Sequence, residues 1–315
     1  MSSKKTSIGG QALIEGIMMR GPKKDVMAVL MKDGSIDVSE MKIKTIKDKS
    51  AFFRLPIIRG VVNFIESMMV GYKAMMDSAD KSGYLDELEE EDKPKDKKES
   101  GKLMSAIMIV ATVLAVILSI GLFIYLPSLA FKGINYLAQG TLLSVQALIE
   151  SFLRIAIFLG YMLAVSTMKD IKRVFSFHGA EHKTIFCYEE GLELTVENVR
   201  LQKRFHPRCG TSFMILILIV SMFLTLLLDA FFPTLKGILW LRTIIKLCLV
   251  PFTCGLGYEL IKICGRYDNI ITRIIATPGL WIQRITVKEP DDSMIEVAIA
   301  AMREVVPEDN ESDNW

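Results

Sequence analysis

The chain has 315 residues, 51% of them apolar, a mean hydropathy of +0.35 and a formal net charge of +2. This composition excludes an ordinary soluble globular protein, and the near-neutral balance excludes a general affinity for nucleic acid. Five cysteines without paired spacing exclude a disulfide framework. Residues 1–50 hold no apolar stretch ahead of a small-residue cleavage site, so no signal peptide is expected.

Residues 1–81 read as a small cytosolic α+β domain. The opening GGQALIEGIMMRGP carries Gly9, Gly10, Gly16 and Gly21 and reads as a turn-rich segment. Its Gly9-Gly10-Gln11 matches the GGQ of peptide-release factors, a three-residue coincidence with nothing of that fold around it. Val26–Lys32 and Ser35–Ile43 flank Asp33-Gly34, a hairpin signal. After Pro56, the stretch from Ile57 to Met76 mixes apolar residues with Arg59, Asn63, Glu66 and Lys73. That predicts an amphipathic helix lying on a membrane or against the domain. Residues 82–102 are charge and turn formers, a solvated linker.

Leu103–Leu126 is 24 residues without a charge, where a bilayer core needs ~20. A first transmembrane helix is expected there, ended by Pro127. The next apolar stretch, Leu142–Met168, contains Glu150 and Arg154 at the spacing that pairs them on a helix. Residues 134–150 read equally as re-entrant or as part of that span. Phe213–Phe232 and Ile238–Ile263 make the third and fourth spans, with Asp229 facing Arg242 and Lys246 and Pro251 as a kink. The helix pairs thus occupy 103–168 and 213–263. Between them the loop 169–212 carries Lys169, Lys172, Arg173, Lys183, Arg200, Lys203, Arg204 and Arg208, whereas the other connections carry few cations. The positive-inside rule therefore places this loop and both termini in the cytosol, and four spans satisfy that parity. Residues 264–306 read as an interfacial segment around Trp281 and an amphipathic helix begun by a Ser293…Glu296 capping box. Residues 307–315 form an acidic tail. The expected fold is an α-helical polytopic membrane protein of about four transmembrane helices with a small α+β cytosolic N-terminal domain.

All three histidines, His178, His182 and His206, lie between Ser176 and Phe213, together with Cys187 and Cys209. His178-Gly179-Ala180-Glu181-His182 is the H-x-x-E-H arrangement of inverted zincins. On a helix it brings two imidazoles to one ion, with the glutamate as general base on a water held there. His206 and Cys209 follow as an H-x-x-C pair, and the donor types suit a divalent metal, zinc above others. Four ligands, His178, His182, His206 and Cys209, would close a structural site. A catalytic site would use three and leave one position open, the third coming from His206, Cys209 or Glu259. In the bland alternative the histidines and Glu181 only cap and hydrogen-bond.

GGQALIEGIMMRGP, SFHGAEHKTIFCYE, FHPRCGTSF and TPGLWIQRITVKEPDD together resemble the YqhQ-like family of bacterial multi-span membrane proteins. The resemblance runs from Ile8 to about Met302 and fails in the charged linker and tail. It implies a bacterial plasma-membrane protein built on a domain of unknown function, and a predicted metal-dependent enzyme without an established reaction. The favoured reading is a metal-dependent hydrolase, with Glu181 catalytic and a lipid-linked or peptide-like substrate suggested by location alone. The alternative is a non-enzymatic scaffold or assembly partner for other membrane proteins, braced by a structural metal. The bilayer is the expected partner, and no nucleic acid is.

Overall fold

Alternating side chains near the N-terminus build a sheet that is covered on both faces. The computed structural model describes residues 5–41, 51–85, 100–236, 238–267, 269–307 and 313, with backbone alone for 51 and 100–109. Strands β1 (Gly9–Leu13), β2 (Gly16–Arg20), β3 (Asp25–Leu30) and β4 (Ile36–Met41) form an antiparallel meander in the order β1-β2-β3-β4. The opening segment is therefore a hairpin, not a string of turns. Gln11 pairs with Met18, and the chain reverses at Ile14-Glu15. Glycine lowers strand propensity, but cross-strand packing of Ile17, Met18 and Met19 outweighs it. The hairpin around Asp33-Gly34 is β3–β4, with Leu30 opposite Ile36; its expected end at Ile43 lies outside the described residues.

One face of the sheet packs on α1 (Ile58–Lys81), where Leu13, Met18, Met27 and Val29 meet Ala74. On the other face Ile17, Met19, Val26 and Ala28 share a core with two helices distant in sequence, α5 (Lys169–Glu189) and the last helix, α10 (Asp292–Val305). Phe177, Ile295, Ala298 and Met302 are the centre of that core. The expected basic loop 169–212 thus contains a 21-residue helix, α5, and a short α6 (Val196–Arg200). Helix α10 is capped by Asp291, which accepts from Met294 N–H at 3.0 Å. Ser293, the expected cap, instead donates to Asp291. Between the two core helices, Lys288 N–H donates to Phe175 O at 2.9 Å. A Cβ on Gly179 would collide with the Lys288 carbonyl oxygen. Gly179→Ala should therefore force α5 away from the connection leading into α10 and lower stability by about 1–3 kcal/mol. Thermal unfolding of the purified variant measures it, and an unchanged Tm would refute the close approach.

Four helices are long and apolar enough to cross a membrane, Val110–Leu137, Leu143–Val165, Gly210–Phe231 and Leu239–Arg266. The first does not stop at Pro127. Helix α2 (Ser100–Ile120) continues through a π-helical turn, Gly121–Tyr125, into α3 (Leu126–Leu137). The wider turn accommodates the proline ring and its missing N–H, so the helix goes on. After a turn, α4 (Gln146–Val165) runs back, so residues 134–150 are two helix ends and their connection. Helices α7 (Gly210–Phe231) and α8 (Leu239–Arg266) follow, the latter continuing through Pro251. Leu114 and Leu118 are 60% and 70% exposed, a surface suited to lipid tails rather than water. Helix α9 (Ile270–Thr286) begins with an Asn269–Thr272 capping box, buries Ile282 against α4 and leaves Ile270, Ile274 and Trp281 outward. The charged linker 82–102 falls mostly on 86–99, outside the described residues, as does most of the tail 307–315.

Charges inside the bundle pair between helices. Arg242, fully buried, donates to Glu150 and Asp229, and Lys246 donates to Glu150 and to Ser128. The expected Glu150–Arg154 pair gives way to this arrangement, and Arg154 donates to Ser221 on α7. A carboxylate held by two cations from a facing helix gains more than one held by a neighbour on its own turn.

Candidate metal centre

Helix α5 carries the H-x-x-E-H motif through the core, and its period puts His178, Glu181 and His182 on one side. The two imidazole rings stand 4.4 Å apart between centroids. Cys209 arrives from the other direction as the N-cap of α7, its Sγ accepting from Thr211 N–H at 3.4 Å. Its sulfur is 3.1 Å from His178 Nε2. One ligand atom each from His178, His182 and Cys209 lies within 4.8 Å of the others. The cluster therefore sits where the first residue of a membrane span meets the folded α/β unit.

Each histidine is oriented from behind. His178 Nδ1 faces Thr286 O at 3.0 Å, and His182 Nδ1 faces Arg204 O at 2.6 Å. A carbonyl only accepts, so each Nδ1 carries a proton and each Nε2 is the ring atom turned to the cluster. His182 Nε2 is buried and has no protein partner. Backbone carbonyls behind imidazoles are the usual outer support of metal-binding histidines. The donor set thus fits a zinc-like ion: two imidazoles and a thiol, one nitrogen orphaned in the interior.

Burial alone would raise the Cys209 thiol, but the His178 and His182 imidazoles outweigh it and hold it well below the ordinary value. The thiolate is the form that ligates metals. Burial likewise opposes charge on His178, yet the Cys209 sulfur raises it to about 9. Glu181 is 5% exposed, and burial pushes its carboxyl above the usual range despite both imidazoles. The Gly10 backbone amide beside it favours the charged form, while Oε2 has no protein partner. A Cβ on Gly10 would stand 2.9 Å from Glu181 Cδ and 2.8 Å from Met18 O, so glycine is what lets β1 approach the glutamate. That close approach, and not any likeness to release factors, is what Gly10 contributes here.

His206 and Glu259 are not brought to the cluster. The His206 backbone is clamped by the Gln283 amide, through bonds of 2.8 and 2.7 Å. Its ring lies 5.7 Å from the His182 ring, but its nitrogens face Arg208 and Glu189. Glu259 is held by Arg59 of α1, with a bond of 2.7 Å to the guanidinium Nε. Sequence reasoning missed Gly10, Arg204, Gln283 and Thr286, because all four act through backbone or carboxamide atoms that no motif records.

Glu189 joins the N-terminus to this region. Its carboxylate accepts from Thr6 N–H at 2.9 Å and from Arg208, whose other nitrogen reaches Thr6 O at 2.7 Å. Burial opposes the charge, but His206 and Arg208 outweigh it and lower the Glu189 pKa. A lowered carboxyl stabilises the fold above its unfolded pKa and loses that contribution as pH falls through the folded one. Stability should therefore drop below the ordinary carboxylate range, and Glu189→Gln should be less stable at neutral pH with a flatter acid limb. Tm measured from pH 7 to pH 3, roughly the span over which carboxylates titrate, checks it; parallel curves would refute it.

Comparison with known proteins gives the family. A family model described as "Protein of unknown function (DUF1385)" matches residues 55–308. The "Uncharacterized protein YqhQ" of Bacillus subtilis (strain 168) is 37% identical over 305 residues, covering 95% of this chain and 92% of that protein. The chain belongs to this YqhQ-like family. No solved structure matches. The DUF1385 match begins after the sheet, whereas the match to the Bacillus protein extends across nearly the whole chain.

Proposed function

We propose that the chain is a metal-dependent hydrolase working at a membrane surface, with His178, His182 and Cys209 as ligands and Glu181 as general base. The observation that carries this reading is a set of three donors, not four, beside a buried carboxylate with one oxygen unpartnered. Three ligands leave a position open, which is the mark of catalytic rather than structural zinc sites. An ion bound there would supply Lewis-acid polarisation. Thr286 O and Arg204 O keep the imidazoles turned, and the Gly10 backbone packs closely against the Glu181 carboxyl. Its Oε2 is left to take a proton from an attacking water. Location favours a lipid-linked or peptide-like substrate.

The test is Glu181→Gln in metal-loaded protein, screened with membrane-borne ester, amide and phosphate substrates. Turnover by the wild type, lost in the variant with metal content unchanged, supports the hydrolase; equal turnover in both refutes it. A second reading, a structural metal bracing a membrane scaffold, is favoured by the burial of His182, 1% exposed. Under it, Cys209→Ala loses stability while Glu181→Gln is harmless in every assay.

The distribution of Lys and Arg supports a bacterial plasma-membrane protein with both termini in the cytosol. An impermeant maleimide should then label Gln139→Cys in intact cells and Ser35→Cys only after permeabilisation. The opposite pattern would invert the topology.

A further inference from the structure

The membrane bundle contains a second polar centre that the metal reading does not use. Helices α4, α7 and α8 bury three cations, Arg154, Arg242 and Lys246, but only two carboxylates, Glu150 and Asp229. Both carboxylates are engaged by Arg242, and Glu150 also by Lys246. Arg154 forms no ion pair among the described residues; its hydrogen bond goes to the neutral Ser221 hydroxyl. It is 6% exposed, its Nε has no protein partner, and neither does Ser151 Oγ, 3% exposed and one turn away on the same face of α4. A guanidinium does not lose its proton in proteins, so it cannot escape an apolar setting by neutralising. A charge at that depth with no contact ion pair, attracted by Glu150 only through space, is costly, and such residues mark binding sites or pathways.

A cavity lies farther along the same two helices. It measures about 160 Å³ between the start of α4 and the end of α7, and is lined by Ser144, Ala147, Leu148, Leu226, Asp229 and Lys236. Ala147 and Leu148 lead one turn along α4 to Ser151 and then Arg154, while Leu226 leads back along α7 towards Ser221. The cavity is at the end of α7 opposite Cys209, so it lies away from the metal centre.

We propose that the buried polar centre between α4 and α7 binds a single anionic group of the phosphate class, held by Arg154, Ser151 and Ser221. The charge count selects an anion over a cation, and the guanidinium fork suits a phosphate oxygen pair. A free phosphate and a phospholipid headgroup share this chemistry. The site is independent of the metal-dependent reading.

Two measurements on the detergent-purified full chain separate the sources. Thermal unfolding with sodium phosphate, against sodium chloride at equal ionic strength, reads the free anion. Native mass spectrometry of protein released from mixed phosphatidylcholine and phosphatidylglycerol vesicles reads the headgroup. A phosphate-dependent rise in Tm that Arg154→Gln abolishes assigns free phosphate. Selective retention of phosphatidylglycerol that the variant loses assigns the headgroup. Should Arg154→Gln fail to fold, Ser151→Ala removes one donor and should weaken binding by about tenfold. The proposal is overturned if the wild type shows neither effect, or if both effects persist unchanged in the variants that fold.

Discussion

Protein purified from membranes without chelators should carry about one divalent metal ion per chain, and His182→Ala or Cys209→Ser should lose it. The expectation rests on the convergence of three donors and on the orphaned Nε2 of His182. Outer-shell partners of metal sites are worth about 10–100-fold in affinity, and removal of a direct ligand exceeds that. After dialysis the two variants should be metal-free by elemental analysis. His206→Ala and Glu259→Gln should retain the ion, because the first residue faces Glu189 and Arg208 and the second is bound to Arg59. Metal lost from His206→Ala with the fold intact would restore the four-ligand structural site. A metal-free wild type would remove the metal centre altogether, and with it the hydrolase reading.

Arg242→Met should destabilise the bundle by about 3–5 kcal/mol, the cost of leaving a buried charge without its partner. Arg242 is fully buried between α4 and α7 and is the cation shared by Glu150 and Asp229. Without it Asp229 loses its cation among the described residues, and Glu150 keeps Lys246 alone. Adding Asp229→Asn to Arg242→Met should recover part of the loss, since the stranded charge is removed with its partner. Denaturant unfolding in detergent measures both steps. A single variant as stable as the wild type would mean that the network contributes nothing to the bundle.

Much of this was legible in advance where the physics is local. Twenty-odd apolar residues without charge require a span whatever surrounds them, and three of the four were placed to within a few residues, while the first runs past Pro127 to Leu137. That proline misled because a π-helical turn, invisible to propensity, absorbs it. Asp229 and Arg242 were paired correctly, since they flank one short connection. Glu150 and Arg154 were paired wrongly, since α8 brings two better cations to Glu150 across the bundle. The opening hairpin was hidden by its glycines, one of which is there to admit Glu181.

The sequence alone determined that this chain lies in a membrane with four helices, and that its histidines and a cysteine are concentrated in one segment. Hydropathy and residue type carry both, because each is a property of short stretches of chain. Only the tertiary structure decided which donors meet. His178 and His182 share a helix face by periodicity, but Cys209 reaches them only because α7 starts against α5, while His206, three residues earlier, is turned away by Gln283 and Glu189. It also joined α10, near the far end of the chain, to a sheet near its beginning, burying a core that neither segment could bury alone. Long-range burial of that kind depends on which surfaces coincide, and spacing along the chain does not contain it.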